Sequence, residues 1–189
     1  SLNPVTNPVA QPEFKIVHIF ESNAGAYTTS GNMIFPLSSS AYLRVNGSAS
    51  NAGNYETGSG IKPLTEYSTT DYTAILGTLL SDGSKLEFNY TNNRQDKVGY
   101  PGLTMDIVYS YTDMYTLKYH RVTPFGMFST MNVELFNTDI DHLMNNVVLR
   151  GNTGNGVMSW PTASDTYGGR IIGTIGSDIR AGIDYEHNT

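Results

Sequence analysis

"MDIVYSYTDMYTLKYH", residues 105–120, alternates with a period of two. One set of alternate residues is Met105, Ile107, Tyr109, Tyr111, Asp113, Tyr115, Leu117 and Tyr119. The other is Asp106, Val108, Ser110, Thr112, Met114, Thr116, Lys118 and His120. A strand sends successive side chains to opposite faces, so this pattern predicts an extended segment with one aromatic face and one polar face. Asp113 interrupts the aromatic face. The stretch is therefore read as a hairpin of 104–111 and 114–122 turning at Thr112-Asp113, with one long bent strand as the alternative.

Composition extends this reading to the whole chain. Of its 189 residues 39% are hydrophobic and 15% charged, with 19 Gly and 13 Tyr, and Asn, Ser and Thr fill the shortfall. Those residues compete with helical hydrogen bonding and suit strands joined by turns. Further strands are expected at "FKIVHIF" (14–20), "MIFPL" (33–37), "AYLRVN" (41–46), "STMNVELFN" (129–137), "NVVLR" (146–150), "GVMSW" (156–160), "GRIIGTI" (169–175) and "DIRAGIDY" (178–185). The clearest hairpin joins "YTAILGTLL" (72–80) to "KLEFNYT" (85–91) through Ser81-Asp82-Gly83-Ser84, where Asp-Gly supplies the backbone dihedrals of a tight turn. Residues 46–60 and 91–102 read as loops. "NTDIDHLMNN" (137–146) is the sole helical candidate, with Thr138 and Asp141 as a capping box. The expected fold is all-β, an antiparallel β-sandwich or partly closed β-barrel of about ten strands with at most one short helix. Residues 1–12, with three prolines, form an extended tether before a single domain at 13–189.

Several functions are set aside. The formal charge of −6 and the scattered Lys and Arg give no basic stripe for nucleic acid. No apolar run approaches the roughly 20 residues of a membrane-crossing helix, so no transmembrane segment is expected. With no cysteine there are no disulfides or thiolate metal sites. No hydrolase elbow, zinc-protease or nucleotide-loop motif occurs, and no catalytic residue is assigned. Asn137-Thr138-Asp139-Ile140-Asp141 copies the first ligand positions of a calcium loop, but His142 and Val148 stand where Gly and the bidentate Glu belong. A looser Ca²⁺ site is all that the segment admits.

Tyrosine suits a position with one dry end and one wet end. Tyr109, Tyr111, Tyr115 and Tyr119 could edge a core, line a subunit interface, or stack on sugar rings. Trp160 and Tyr55, the latter in the loop at 46–60, are further candidate platforms. His120 beside these rings and "TPFGMF" (123–128) could hold haem iron. The cysteine-free, Asn/Thr/Tyr/Gly-rich composition resembles that of bacterial surface proteins and of phage or viral spikes. The expected function is a non-enzymatic extracellular or cell-surface module that binds a host glycan or receptor, as adhesins and fibre heads do. A carrier of a small hydrophobic ligand such as haem is the alternative. A self-associating pilus or capsid subunit is the third.

Overall fold

The computed structural model describes residues 11–151, 154, 156–176 and 179–189. The expected tether lies outside these apart from Gln11 and Pro12. Nine strands follow one another: β1 (Glu13–Glu21), β2 (Ala26–Pro36), β3 (Ala41–Ala52), β4 (Tyr67–Leu79), β5 (Lys85–Val98), β6 (Asp106–Arg121), β7 (Phe128–Asn145), β8 (Ser159–Ile175) and β9 (Ile179–Asn188). Each pairs antiparallel with the next, in sequence order, in one sheet that does not close on itself. The described residues include no α-helix, only a single 3₁₀ turn at Asn23–Gly25. The all-β expectation holds.

Four local expectations are corrected, the first being that "NVVLR" (146–150) and most of "GVMSW" (156–160) lie between β7 and β8 and are not strands. Residues 105–120 form one long strand instead of a hairpin, and Asp113 sits inside it, paired with Asn92 and Asp139. The helical candidate lies in β7, since a capping box cannot compete with ladder pairing over 18 residues. Residues 46–52 and 91–98 extend β3 and β5 rather than forming loops.

The two ends of the sheet differ. At one end strands are joined by short turns, 37–40, 80–84 and 122–127, and the end of β8 at Ile175 meets the start of β9 at Ile179. At the other lie the longer connections 53–66, 99–105 and 146–158, and the short link 22–25. The short turns are staggered. Following the register from Pro36 leads to Gly77, two residues before the end of β4 at Leu79. The same line reaches Lys118, three before Arg121, and then Arg170, five before Ile175. The strands therefore slide steadily along one another across the sheet.

Burial is inverted relative to a water-soluble domain. Among the described residues five apolar side chains are buried, Ala26, Ile34, Tyr42, Ala52 and Ile107, against 33 large apolar residues that are exposed. Substantial contacts between strands run only between sheet neighbours, so among the described residues no second layer covers either face. Tyr42 is the largest fully buried side chain, and its ring lies over Gly77, where any Cβ would overlap it. Its hydroxyl donates to the Glu87 carboxylate one strand farther on. Gly77→Ala is expected to displace this ring and to lower stability by about 1–3 kcal/mol, the cost of overpacking. Urea unfolding measures it, and an unchanged midpoint would show that Tyr42 does not need the space.

Candidate functional site

Register sorts the side chains into two faces. On the first, Leu43 pairs with Leu76, Leu76 with Phe88, Phe88 with Leu117, and Leu117 with Leu135. Val133 then pairs with Ile171 and Ile171 with Ile183. All of these are aliphatic or aromatic, and Leu76 (50%), Leu135 (52%) and Ile183 (77%) stand open to the surroundings. A monomeric soluble protein rarely shows an apolar surface so large and continuous.

Toward the long-loop end this apolar band gives way to tyrosine. Tyr72 meets Tyr90 edge-on at 5.6 Å, and Tyr90 stacks on Tyr115 at 4.9 Å. Tyr167 and Tyr185 carry the row onto β8 and β9. Beyond the row the same face becomes polar. Asp113 accepts hydrogen bonds from the Tyr90 hydroxyl (2.6 Å), Asn92 Nδ2 (2.6 Å) and Arg94 Nη2 (2.7 Å). The Arg94 guanidinium lies over the Tyr111 ring, whose hydroxyl donates to Asp96 at 2.9 Å. Tyr109 stacks on Tyr111 and donates to Asp141 at 3.3 Å.

The second face carries charge at the level of the apolar band. Glu87 pairs with Lys118, Lys118 with Glu134, Glu134 with Arg170, and Arg170 with Asp184. Sign alternates at every strand, which avoids like charges opposite one another. Lys118 and Glu134 lie 3.7 Å apart, Arg170 and Asp184 2.8 Å, and Lys85 reaches Glu87 at 2.9 Å. Lys85, Glu87, Lys118, Glu134 and Arg170 line an open groove of about 1030 Å³ near the short-turn end.

The residues singled out from sequence do not converge. Tyr109, Tyr111, Tyr115 and Tyr119 share a strand and a face, but Tyr119 lies near the short turns, donating to Ser84 at 3.2 Å. Trp160, second residue of β8, is in register with Met144 on the charged face, 68% exposed, and Tyr55 belongs to the 53–66 loop. His120 projects into the charged groove, 2.5 Å from Asn132 Oδ1, on the opposite face from the tyrosine row. The expected ring-lined haem pocket around it is not assembled. The calcium-loop candidate is strand: Asn137, Asp139 and Asp141 are alternate residues of β7, and no group of three metal-ligating side chains occurs among the described residues. Sequence reasoning missed the charged row. Its signal was the alternation of Glu87, Lys118, Glu134 and Arg170 with Phe88, Leu117, Leu135 and Ile171, visible once registers are known.

A buried ion pair organises the long-loop end. Asp106, at the start of β6, is 0% exposed, and Arg150 of the 146–158 connection grips it with Nε at 2.5 Å and Nη2 at 2.7 Å. Arg150 also donates to the Tyr100 carbonyl at 2.5 Å, while the Tyr100 N–H donates to Asp106 at 2.8 Å. Two long connections are thus tied to one carboxylate. Burial pushes the Asp106 carboxyl up, but the hydrogen bonds and charge of Arg150 with the Tyr100 N–H outweigh it and hold it below its ordinary value.

No protein-family model matches the sequence, and no curated protein matches it. Among solved structures the chain is similar to one titled "Copper transporter OprC", with a TM-score of 0.84 at 18% identity. The match covers 94% of this chain and 28% of that one, so the chain spans well under a third of its length. The glycan- or receptor-binding reading, with the haem-carrier and pilus or capsid alternatives, is overturned by this likeness to a transporter rather than to an adhesin or fibre head.

Arg150→Ala leaves Asp106 buried without its counter-charge, a loss of about 3–5 kcal/mol when one partner of a buried pair is removed. Amide exchange in 99–105 and 146–158 should rise together in this variant. In the wild type the carboxylate's contribution is present above the ordinary aspartate pKa and is lost as pH falls through the depressed folded value. Acid should therefore loosen both connections at once, and uncoupled loosening would show that the pair does not join them.

Proposed function

We propose that this sheet is a sector of the wall of a membrane-spanning β-barrel, with its apolar face toward lipid and its charged face toward a polar lumen that serves solute passage. The observation that carries the proposal is the uncovered apolar band, backed from β5 to β9 by the row of alternating charge. Lipid makes such a face favourable, whereas exposed Leu, Phe and Ile in water would drive association. From Tyr72 to Leu80 is nine residues, close to the ~9–11 that carry a tilted strand across a bilayer. The tyrosine row then stands at the lipid–water boundary, where aromatic girdles occur. Asp113, Asp141 and Arg94 lie beyond it, in water.

The steady stagger of the short turns supports curling into a barrel, since tilted strands in a barrel are related by such a shear. Short turns at one end and long connections at the other match the inner and outer sides of an outer membrane. That orientation would put the 53–66, 99–105 and 146–158 connections at the cell surface. No described helix is long and apolar enough to cross a membrane, a criterion that strands do not enter. The likeness to a β-barrel transporter supports the architecture. Copper is not carried over, because the reading rests on the two faces and on no metal-ligating group of this chain. The proposal assigns the chain no enzymatic step.

Fluorescence in vesicles containing brominated lipid tests it. With Trp160→Phe as background, Leu135→Trp should be strongly quenched by bromine on the acyl chains and Glu134→Trp should not. Leu135→Arg should in turn cost about 2–4 kcal/mol in the bilayer. Equal quenching from both positions would sink the assignment of faces.

A further inference from the structure

β1 and β9 are the edges of the sheet, each hydrogen-bonded on one side only. On the membrane-wall reading, on which this inference rests, such edges cannot stay bare, because lipid offers no partner for backbone N–H and C=O groups. Edge strands that face water are usually guarded by proline, bulges or inward charges. Neither β1 (EFKIVHIFE) nor β9 (IRAGIDYEHN) contains proline, and both pair with their neighbours in unbroken register.

Strand direction decides what can cover them. In a nine-strand antiparallel meander, β1 and β9 point the same way. Closing β9 directly on β1 would create a parallel pair, a pairing the sheet uses nowhere else and one slightly less stable per residue. A second copy related by an axis along the membrane normal brings its β1 against β9 in the same parallel sense. Pairing like edges antiparallel would instead invert one copy, placing its long connections beside the other's short turns. We infer that both edges are paired by strands running opposite to them. The occupant is an odd number of further two-faced membrane strands bridging from β9 round to β1, and not a second copy of this sheet.

The chain has no cysteine of its own, which makes disulfide trapping clean. With the protein in membranes, Ile16→Cys or His18→Cys is combined with Ala181→Cys, Ile183→Cys or Tyr185→Cys and oxidised, and amide exchange in β1, β5 and β9 is followed. The expected result is no disulfide in any pair, within or between copies, with β1 and β9 amides exchanging within about tenfold of those of β5. A disulfide within one copy would mean nine-strand closure, and one between copies would mean self-assembly. Fast exchange would mean bare edges. Each of these overturns the inference while leaving the lipid quenching of Leu135→Trp intact; loss of that quenching would overturn the wall reading on which the inference stands.

Discussion

Nothing among the described residues covers the face that carries Leu76, Phe88, Leu117, Leu135 and Ile171, and every other feature of the sheet answers to that fact. A sheet in water hides one face against a second layer, so that polar residues point out and apolar ones in. Here the apolar residues point out and the charges share the opposite face. The arrangement is consistent only if the surroundings are apolar on one side and polar on the other. The role of a core passes to the solvent, and the sheet is held together by its ladders of backbone hydrogen bonds rather than by packing between layers.

The charged row follows from the same constraint. A wall with a hydrophobic back still needs an inner surface that polar solutes can wet, and single charges facing a lumen must not repel their cross-strand neighbours. Alternating sign from Glu87 through Lys118, Glu134 and Arg170 to Asp184 satisfies both conditions. Pairs that are this exposed add little to stability individually, about 0–1 kcal/mol. On the membrane-wall reading, their effect is to keep five strands of the inner surface hydrated and nearly neutral. The buried ion pair lies instead at the long-loop end, where Asp106 and Arg150 fasten two connections that have no sheet of their own.

The strands themselves were legible. Period-two alternation in 105–120, 85–91 and 14–20 and the Asp-Gly turn at 82–83 all reappear in the fold. What misled was the premise that an apolar face must find a protein core. Under that premise Asp113 looked misplaced among tyrosines and suggested a turn. In the structure the strand runs on past the aromatic row, and Asp113 is where the face becomes wet, held by Tyr90, Asn92 and Arg94. "NTDIDHLMNN" misled for a related reason: its Asn, Asp and Thr are the polar continuation of β7 beyond that same row, and they imitate a capping box. Registers between strands distant in sequence cannot be read from one chain, so the charged row was not visible beforehand, whereas the separation of His120 from the tyrosines was already present in the alternation of 105–120.

On the membrane-wall reading the tyrosines mark a height on the sheet. Tyr90 and Tyr115 come immediately after Phe88 and Leu117 along their outward faces and immediately before Asn92 and Asp113. Each ring can lie against the apolar side while its hydroxyl reaches the polar one, and Tyr90 does this in donating to Asp113. Leucine at this height would leave Asp113 with one donor fewer, and serine would leave the top of the apolar band uncovered. A side chain that is dry at one end and wet at the other belongs at a boundary between two solvents. On this sheet that boundary crosses β4, β5, β6, β8 and β9 through Tyr72, Tyr90, Tyr115, Tyr167 and Tyr185.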